Sequence, residues 1–568
     1  MQRDGASGER IGGAVRRRFR DAAGLIDHGR SALRADALSI AAAALAAVDP
    51  AAALRRTIRV AGDTLFVRGR PWRGLEAPAA GDGAPGTRPD VPQETAVGLG
   101  GRRLFLVGAG KASIGMVAVL DELLGPRFTD AAVVVKHGQA AAPARLLRHI
   151  EVLEAAHPVP DDSSLAGGRR LLDVARQARP GDLVLAIVTG GSSSLAVTPA
   201  EGISLEDKIE TNRLLLACGA DIVAINNVRK HISAIKGGLL AQVFGASAGD
   251  SGACQILNFT VSDVVGDPLD YVTDLTVPDR STWAAARETC DRFDLWEALP
   301  SAVAERLRRA DPRQETPKEL TSVLTWVVAD AAQMCAAAGE QARALGYRPR
   351  LLGLDWEGEA WAAGAALARQ LRAAPPGSCL LAGGENTVTL SAGAIRRAQG
   401  GPSQEAALAA ALELAGSGSA PDPARAAHVT GLPAGSFPAG VTPPAAVRPP
   451  VGEPPAQAPP GVAPAAAVTA RGAAAAVTAH GASGEWPAVV LCLDSDGTDG
   501  PTDAAGGLVD DLTAVDRERA ARIADGLAAH RAQASLRSLG DLVVTGPTGT
   551  NVNDLKIALT EPATPRRP

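Results

Sequence analysis

Short, mostly apolar runs recur through the first half of the chain. Each leads into a Gly-, Ser- or Asp-rich turn and then into apolar residues at helical spacing. The runs are LFLV at 104–107, AAVVV at 131–135, LVLAIV at 183–188 and ILNFTV at 256–261. Runs of this length, rich in β-branched residues, predict strands buried on both faces. Ala112–Leu124 and the stretch through LLDVARQA predict helices between them, the second capped by Asp162 or Ser163. SLED at 204–207 predicts a capping box that opens a further helix. Strand, loop and helix in regular succession predict a parallel sheet covered on both sides. Ligands of such sheets lie beyond the carboxyl ends of the strands, and GAGKAS, TGGSSS and SDVVGD fall at those ends.

Upstream, residues 34–48 read as a helix, TLFV near Leu65 as a strand and 74–100 as a loop. After Thr282 the spacing is mostly helical up to Leu345, and then a second alternating segment begins. PRLLGL predicts a strand, a helix follows WEGEAWAAG, CLLAGGENTVTL at 379–390 predicts a strand or hairpin, and SQEAALAAALELAG a helix. Residues 417–485 are dominated by Ala, Pro and Gly, a composition that cannot bury enough apolar surface to offset ordering and predicts a disordered or extended linker. Patterned sequence resumes with AVVLCLDSDGTDGPTDAAG and GDLVVTGPTGTNVNDLKIAL. The division expected is therefore a flexible extension over 1–33, an α/β domain with a helical segment over 34–345, and a smaller α/β domain over 346–416 and 486–568, with the linker inserted in it.

Composition narrows the function classes. A chain of 568 residues is long for one domain, and 46% hydrophobic with 21% charged residues allows sizeable cores. A formal net charge of −5 disfavours nucleic acid as the main partner. The six cysteines (Cys218, Cys254, Cys290, Cys335, Cys379, Cys492) form no CxxC pair, which fits neither a zinc site nor a disulfide framework and points to a reducing compartment. No apolar run approaches the about 20 residues that span a bilayer, and the basic N-terminus lacks the apolar core of a signal peptide. The expectation is a cytoplasmic protein acting on small molecules, with no membrane partner.

The turn after LFLV raises the first chemical question. A dinucleotide fingerprint needs G-x-G-x-x-G with an acid closing the second strand. Gly108 and Gly110 supply two glycines, but Ser113 stands at the third and Lys136-His137 closes the strand. A Walker loop fails as well, with Phe105 at its first glycine and Ala112 after the lysine. What survives is a glycine turn into a helix N-terminus with Lys111 beside it, which suits an anion. On these residues alone, a tight turn with Lys111 in solvent is an equal reading.

The motifs taken in order do resemble one family. VGAGKAS, VVVKHG, HPVPDDSSLAGG, TGGSSS, INNVRKHISAIKGG, SDVVGDPLD, GGENTVTL, SDGTDGPTDAAGG and TGPTGTNVNDL are similar to those of glycerate 2-kinases of the MOFRL type, some of which carry the older label hydroxypyruvate reductase. The resemblance runs from about Arg34 to Leu559, apart from 74–100 and the linker. It implies two α/β domains, the first a Rossmann-like doubly wound parallel sheet and the second smaller, with a cleft between them. It also implies ATP with Mg2+, glycerate as acceptor and 2-phosphoglycerate as product.

Phosphoryl transfer asks for positioning and for positive charge on the transferred group. The resemblance places the family's lysine at Lys111. Asp263, at the end of a strand, could take the proton of the attacking hydroxyl or hold metal; its plain alternative is to cap the next turn, and Asp267 is the second choice. Ser192 and Ser193 offer N–H groups and hydroxyls to an anion. Arg229, Lys230 and His231 are either a solvated basic face or a partner for the glycerate carboxylate, with Lys230 favoured. Gly108, Gly110, Glu385, Thr548 and Asn551 are expected around the nucleotide. Asp499 and Asp503, near Asp496, are expected on magnesium, which takes one or two carboxylates with phosphate oxygens, with a helix cap after GPT as the alternative role of Asp503. Thr550 and Asn553 share the last motif and could equally cap a helix.

The chain departs from the family pattern in three places. TGGSSSL replaces TGGGSAL, narrowing a backbone approach at Ser192; TDLTVPD replaces SGPTVPD at Asp274 and Leu275; and GGPSQE replaces GGRNQE, so that Pro402 and Ser403 stand where the family carries Arg and Asn. The last removes a clamp for phosphate or carboxylate. It leaves open an altered substrate, weak activity, a non-catalytic relative or a compensating arginine; hydroxypyruvate reductase is the separate alternative that the older label carries.

Overall fold

The computed structural model describes residues 12–69, 71, 94–139, 147–246, 253–263, 274–390, 394, 397–416 and 486–562. Three short antiparallel strands, β1 (Ile58–Ala61), β2 (Thr64–Arg68) and β3 (Glu94–Gly98), form a small sheet. The end of the segment read as a loop is thus a strand, paired with β2.

The first large sheet contains β4 (Leu104–Ala109), β5 (Phe128–Lys136), β6 (Glu151–Ala155), β7 (Leu183–Val188), β8 (Gln255–Val261) and β9 (Val323–Ala329), in the order β6-β5-β4-β7-β8-β9. All its pairings are parallel. Counted from β4 this is the Rossmann order, which reverses between β4 and β7. Both faces are covered, as the mostly apolar runs require. Leu104 and Leu106 join a core with Met116, Val117 and Leu120 of helix Ser113–Leu124. Phe105, Val107 and Ala109 join another with Leu171 of helix Asp162–Ala175. That helix is capped one residue earlier than expected, by Asp161 in a capping box with Ser164. The Ser204–Asp207 box is present. Strand β9 lies inside the segment read as helical, because a short, mostly apolar run fits a buried helix or a buried strand equally.

The second large sheet is mixed, ordered β10-β11-β15-β12-β13-β14, from β10 (Arg348–Gly353), β11 (Ser378–Gly384), β12 (Ala488–Asp494), β13 (Gly506–Asp510), β14 (Leu542–Val543) and β15 (Asp554–Thr560). Only β10 and β11 run parallel. Helices Ala360–Arg372 and Pro402–Leu414 cover one face, with Leu367, Leu371 and Leu408 against Leu380, Val490 and Ala558. The other face carries helices Ser31–Ala47 and Ala331–Ala344. Leu38, Ala41, Leu45 and Met334 pack there with Val489, Leu491 and Ile557. The helix through 34–48, expected with the first domain, therefore lies on the second sheet.

Residues 12–33, read as part of a flexible extension, are packed. Phe19 and Ile26 are buried, and the Arg20 amide donates to the Val544 carbonyl at 2.9 Å. Arg34 is fully buried and donates to Asp510 Oδ2 at 2.6 Å and Asp541 Oδ1 at 2.7 Å. A basic, Ala-rich stretch shows no such docking in its own spacing, because its partners lie some 500 residues away. The linker 417–485 lies outside the described residues.

Candidate functional site

The loops at the switch point, after β4 and β7, face the second domain. Gly110 has φ +142°, and a Cβ there would come within 2.0 Å of Thr189 Oγ1, so glycine is required by the contact of the two loops. The amides expected to be open to an anion are used internally. Gly110 N–H donates to the Val134 carbonyl, Lys111 N–H to the Gly190 carbonyl at 2.9 Å and Ala112 N–H to Thr189 Oγ1 at 3.2 Å. Gly108 sits inside β4, where a Cβ would meet the Ile187 carbonyl at 2.9 Å. Both glycines therefore serve close packing of the sheet and its turn, and only the Lys111 side chain reaches the cleft. Its Nζ lies 3.2 Å from Asp496 Oδ2 of the second domain, with both side chains partly exposed.

The loop after β7 is different. Among the described residues, the amides of Gly190 and Gly191 make no hydrogen bond. Gly191 has φ +87°, with Lys111 Cγ and the His157 ring within about 3 Å of where its Cβ would stand. Ser192 is buried and starts the short helix Ser192–Leu195, while Ser193 remains partly exposed. Both line a cavity of about 470 Å³ between the domains, together with Arg229, Asp263, Glu357 and Glu385.

Asp263 stands just past β8. Its Oδ2 would lie 3.0 Å from a Cβ on Gly190, and Asn551 of the second domain donates to it at 3.4 Å. Burial pushes its carboxyl above the usual range, and Lys111 partly offsets this. Asp267 lies outside the described residues. Glu385, on the opposite wall, is also pushed up, by burial first and then by Asp554 and Asp263. Asn551 thus meets Asp263 rather than standing alone on the nucleotide side. Thr548 is tied to its own domain: its amide donates to the Asp496 carbonyl at 3.1 Å and its hydroxyl to that of Ser495.

Lys230 is not at the cavity. It is 1% exposed and its Nζ meets Asp279 Oδ1 at 2.7 Å. Adjacent residues on a helix point in different directions, and it is Arg229 that reaches the cavity wall, donating to Ser193 Oγ at 2.6 Å. His231 pairs with Glu315 Oε1 at 2.8 Å.

The pair expected on magnesium does not fit a shared ion. Asp499 is 1% exposed and accepts the Ser403 and Gln404 amides at 3.0 and 2.8 Å, capping helix Pro402–Leu414. Burial and then Asp554 push its carboxyl up to about 7 despite those bonds. Asp503 is exposed and accepts from Gln533 at 2.7 Å and Arg537 at 3.3 Å. Among the described residues, no three His, Cys, Asp or Glu side chains cluster as metal ligands.

Of the departures, Pro402 fills the first turn of its helix, where a missing N–H costs nothing. Asp274 accepts the Thr276 amide at 2.6 Å and the Val277 amide at 3.2 Å, holding its own turn.

Sequence reasoning left His157 and Lys236 without a role. The ring of His157 abuts Gly191, and burial, Lys111 and Lys136 lower its pKa to about 4. Lys236 is 1% exposed and donates to the Ser193 carbonyl at 2.6 Å. Both belong to long motifs, HPVPDD and INNVRKHISAIKGG, and that was the available signal.

Comparison with known proteins agrees with this architecture. Residues 36–308 match a domain of unknown function, DUF4147, and residues 467–554 match the MOFRL family. A glycerate 2-kinase of Pyrococcus horikoshii is 29% identical over 93% of this chain and 97% of its own. A D-glycerate 2-kinase of Thermotoga maritima is 31% identical over 82% of this chain and 93% of its own. The crystal structure of a glycerate kinase from Thermotoga maritima superposes with a TM-score of 0.61 at 29% identity, covering 81% of this chain and 92% of that one. Relatives from Agrobacterium vitis carry a hydroxypyruvate reductase name. The two sheets, the interdomain cleft and these matches place the chain in the family of glycerate kinases that carry the MOFRL domain.

Proposed function

We propose that this protein transfers the γ-phosphoryl group of ATP to the 2-hydroxyl of glycerate, giving 2-phosphoglycerate and ADP. The observation that carries the reading is the convergence, at the Rossmann switch point, of Lys111 and Asp263 from one domain with Asn551 from the other. The 2-hydroxyl oxygen forms a bond to the γ-phosphorus while the bond to the bridging oxygen of ADP breaks, and the hydroxyl proton passes to the Asp263 carboxylate. A carboxyl raised above its ordinary value is a better base for an alcohol than a fully solvated one. Asn551 holds one of its oxygens, and Lys111 supplies positive charge where the phosphoryl oxygens carry negative charge. Magnesium with the nucleotide would neutralise phosphate charge; Asp499 and Asp503 do not fit it, and no step here depends on it.

The reductase alternative finds no support at the turn, since a pyrophosphate would need amides that Gly110, Lys111 and Ala112 spend elsewhere. All six cysteines are free, which accords with a reducing, cytoplasmic setting. The test is purified protein with D-glycerate and ATP-Mg, the product assigned by 31P NMR as the 2- or 3-phosphate, beside NADH with hydroxypyruvate. NADH loss without ADP formation defeats the reading.

A further inference from the structure

We propose that Arg229, backed by Lys236 and Lys208, is the seat for the carboxylate of the acceptor. The identity of the anion rests on the glycerate kinase reading; the existence of the seat does not.

Three cations from three segments meet beneath the turn at Ser193. Arg229 comes from helix Ile222–His231, Lys208 from helix Leu205–Ala217, and Lys236 from the turn between helices Ile222–His231 and Leu239–Val243. Arg229 donates to Ser193 Oγ at 2.6 Å and to Asn226 Oδ1 at 3.3 Å. Lys236 donates to the Ser193 carbonyl at 2.6 Å and to its hydroxyl. Lys208 donates to the Ile232 carbonyl at 3.0 Å. Among the described residues, every partner is neutral. Lys230, the next residue to Arg229, shows what a structural cation looks like here: its charge is met by Asp279 at 2.7 Å.

Burying cations without a countercharge is costly, and a fold retains such a group where something else supplies the charge. Burial and then Arg229 hold Lys236 well below its usual range and bring Lys208 to about 7. An arginine stays protonated in a protein. Arg229 therefore keeps its charge, and it keeps it at the wall of the interdomain cavity. The unused amides of Gly190 and Gly191 line the same cavity, as does Asp263. Asp274, the other acid among the described residues on this wall, already accepts from Thr276, Val277 and Asn258. A planar cation beside two free N–H groups is complementary to a carboxylate. An acceptor seated there by its carboxylate carries its 2-hydroxyl one carbon away, toward Asp263.

The test is calorimetric titration of the full chain with D-glycerate and with its neutral amide, without nucleotide, together with KM for glycerate and for ATP. The wild type should bind glycerate and not the amide. Arg229→Gln should weaken glycerate binding by one to two powers of ten and leave KM for ATP within about twofold, as expected when a charge-assisted pair is lost. Arg229→Lys keeps the charge without the fork; it should recover part of the affinity, and it serves as the readout if Arg229→Gln does not fold. Unchanged glycerate affinity in the folded variant, or a loss confined to ATP, overturns the seat. Arg229-dependent binding without ADP formation supports the seat and defeats the kinase reading, while ADP formation with an unchanged KM for glycerate does the reverse.

Discussion

Lys111 Nζ stands 3.2 Å from Asp496 Oδ2, and the pair bridges the two domains at the mouth of the cleft. The lysine stem rises beside Gly191, whose missing Cβ leaves it room. Asp496 is itself held by the Thr498 amide and hydroxyl. The charge is thus positioned at the cleft and partly solvated, where a phosphate oxygen can take the place of the aspartate.

Lys111→Met keeps most of the stem and removes the charge. Turnover should fall on the order of 10²-fold or more, the scale of a lost electrostatic donor. Thermal stability should change little, because a partly exposed ion pair contributes about 1 kcal/mol at most. Steady-state kinetics with a thermal melt checks both, and near wild-type turnover would return Lys111 to a solvent-facing role.

Asp263→Asn preserves shape and removes the base. Turnover should drop by about 10²- to 10⁴-fold, while D-glycerate affinity, measured by titration, stays within a few-fold. A variant that loses binding as well would make Asp263 a binding residue.

The paired change Pro402→Arg and Ser403→Asn restores the family pattern at the start of helix Pro402–Leu414. With Arg229 serving the carboxylate, kcat/KM for glycerate should shift by no more than about threefold. A gain of one to two powers of ten, the worth of a restored charge-assisted contact of about 1.5–3 kcal/mol, would mean that the chain is a weakened kinase.

His157 gives a pH prediction. Its pKa is lowered to about 4 by burial, Lys111 and Lys136, so the folded protein holds it neutral above that value while the unfolded chain protonates it near 6.5. Its contribution to stability is complete above pH 6.5 and is lost as pH falls toward 4. NMR of the imidazole should show no titration between pH 5.5 and 8. His157→Gln should lessen the loss of thermal stability on going from pH 6.5 to 4.5. A midpoint near 6.5 in the folded protein would refute it.

Local sequence determined the strands that are buried on both faces, because four mostly apolar runs have few other stable arrangements; these became β4, β5, β7 and β8. It also determined the Ser204 capping box, whose partners are three residues apart. Three matters were left to tertiary structure. Edge strand β6, EVLEA, has too little apolar pattern to be read, since one side of it meets solvent. The docking of residues 12–47 on the second sheet depends on Asp510 and Asp541, acids at the far end of the chain. The choice between Arg229 and Lys230 depended on which side of one helix faces Asp279 and which faces the cavity. The opening glycine turn shows the same division. Its composition made it look open to an anion, but Thr189 and Gly190, about 80 residues on, take up its amides and leave the unpaired N–H groups on the loop after β7. A backbone donor is free or spent according to what folds against it, and that partner is distant in sequence.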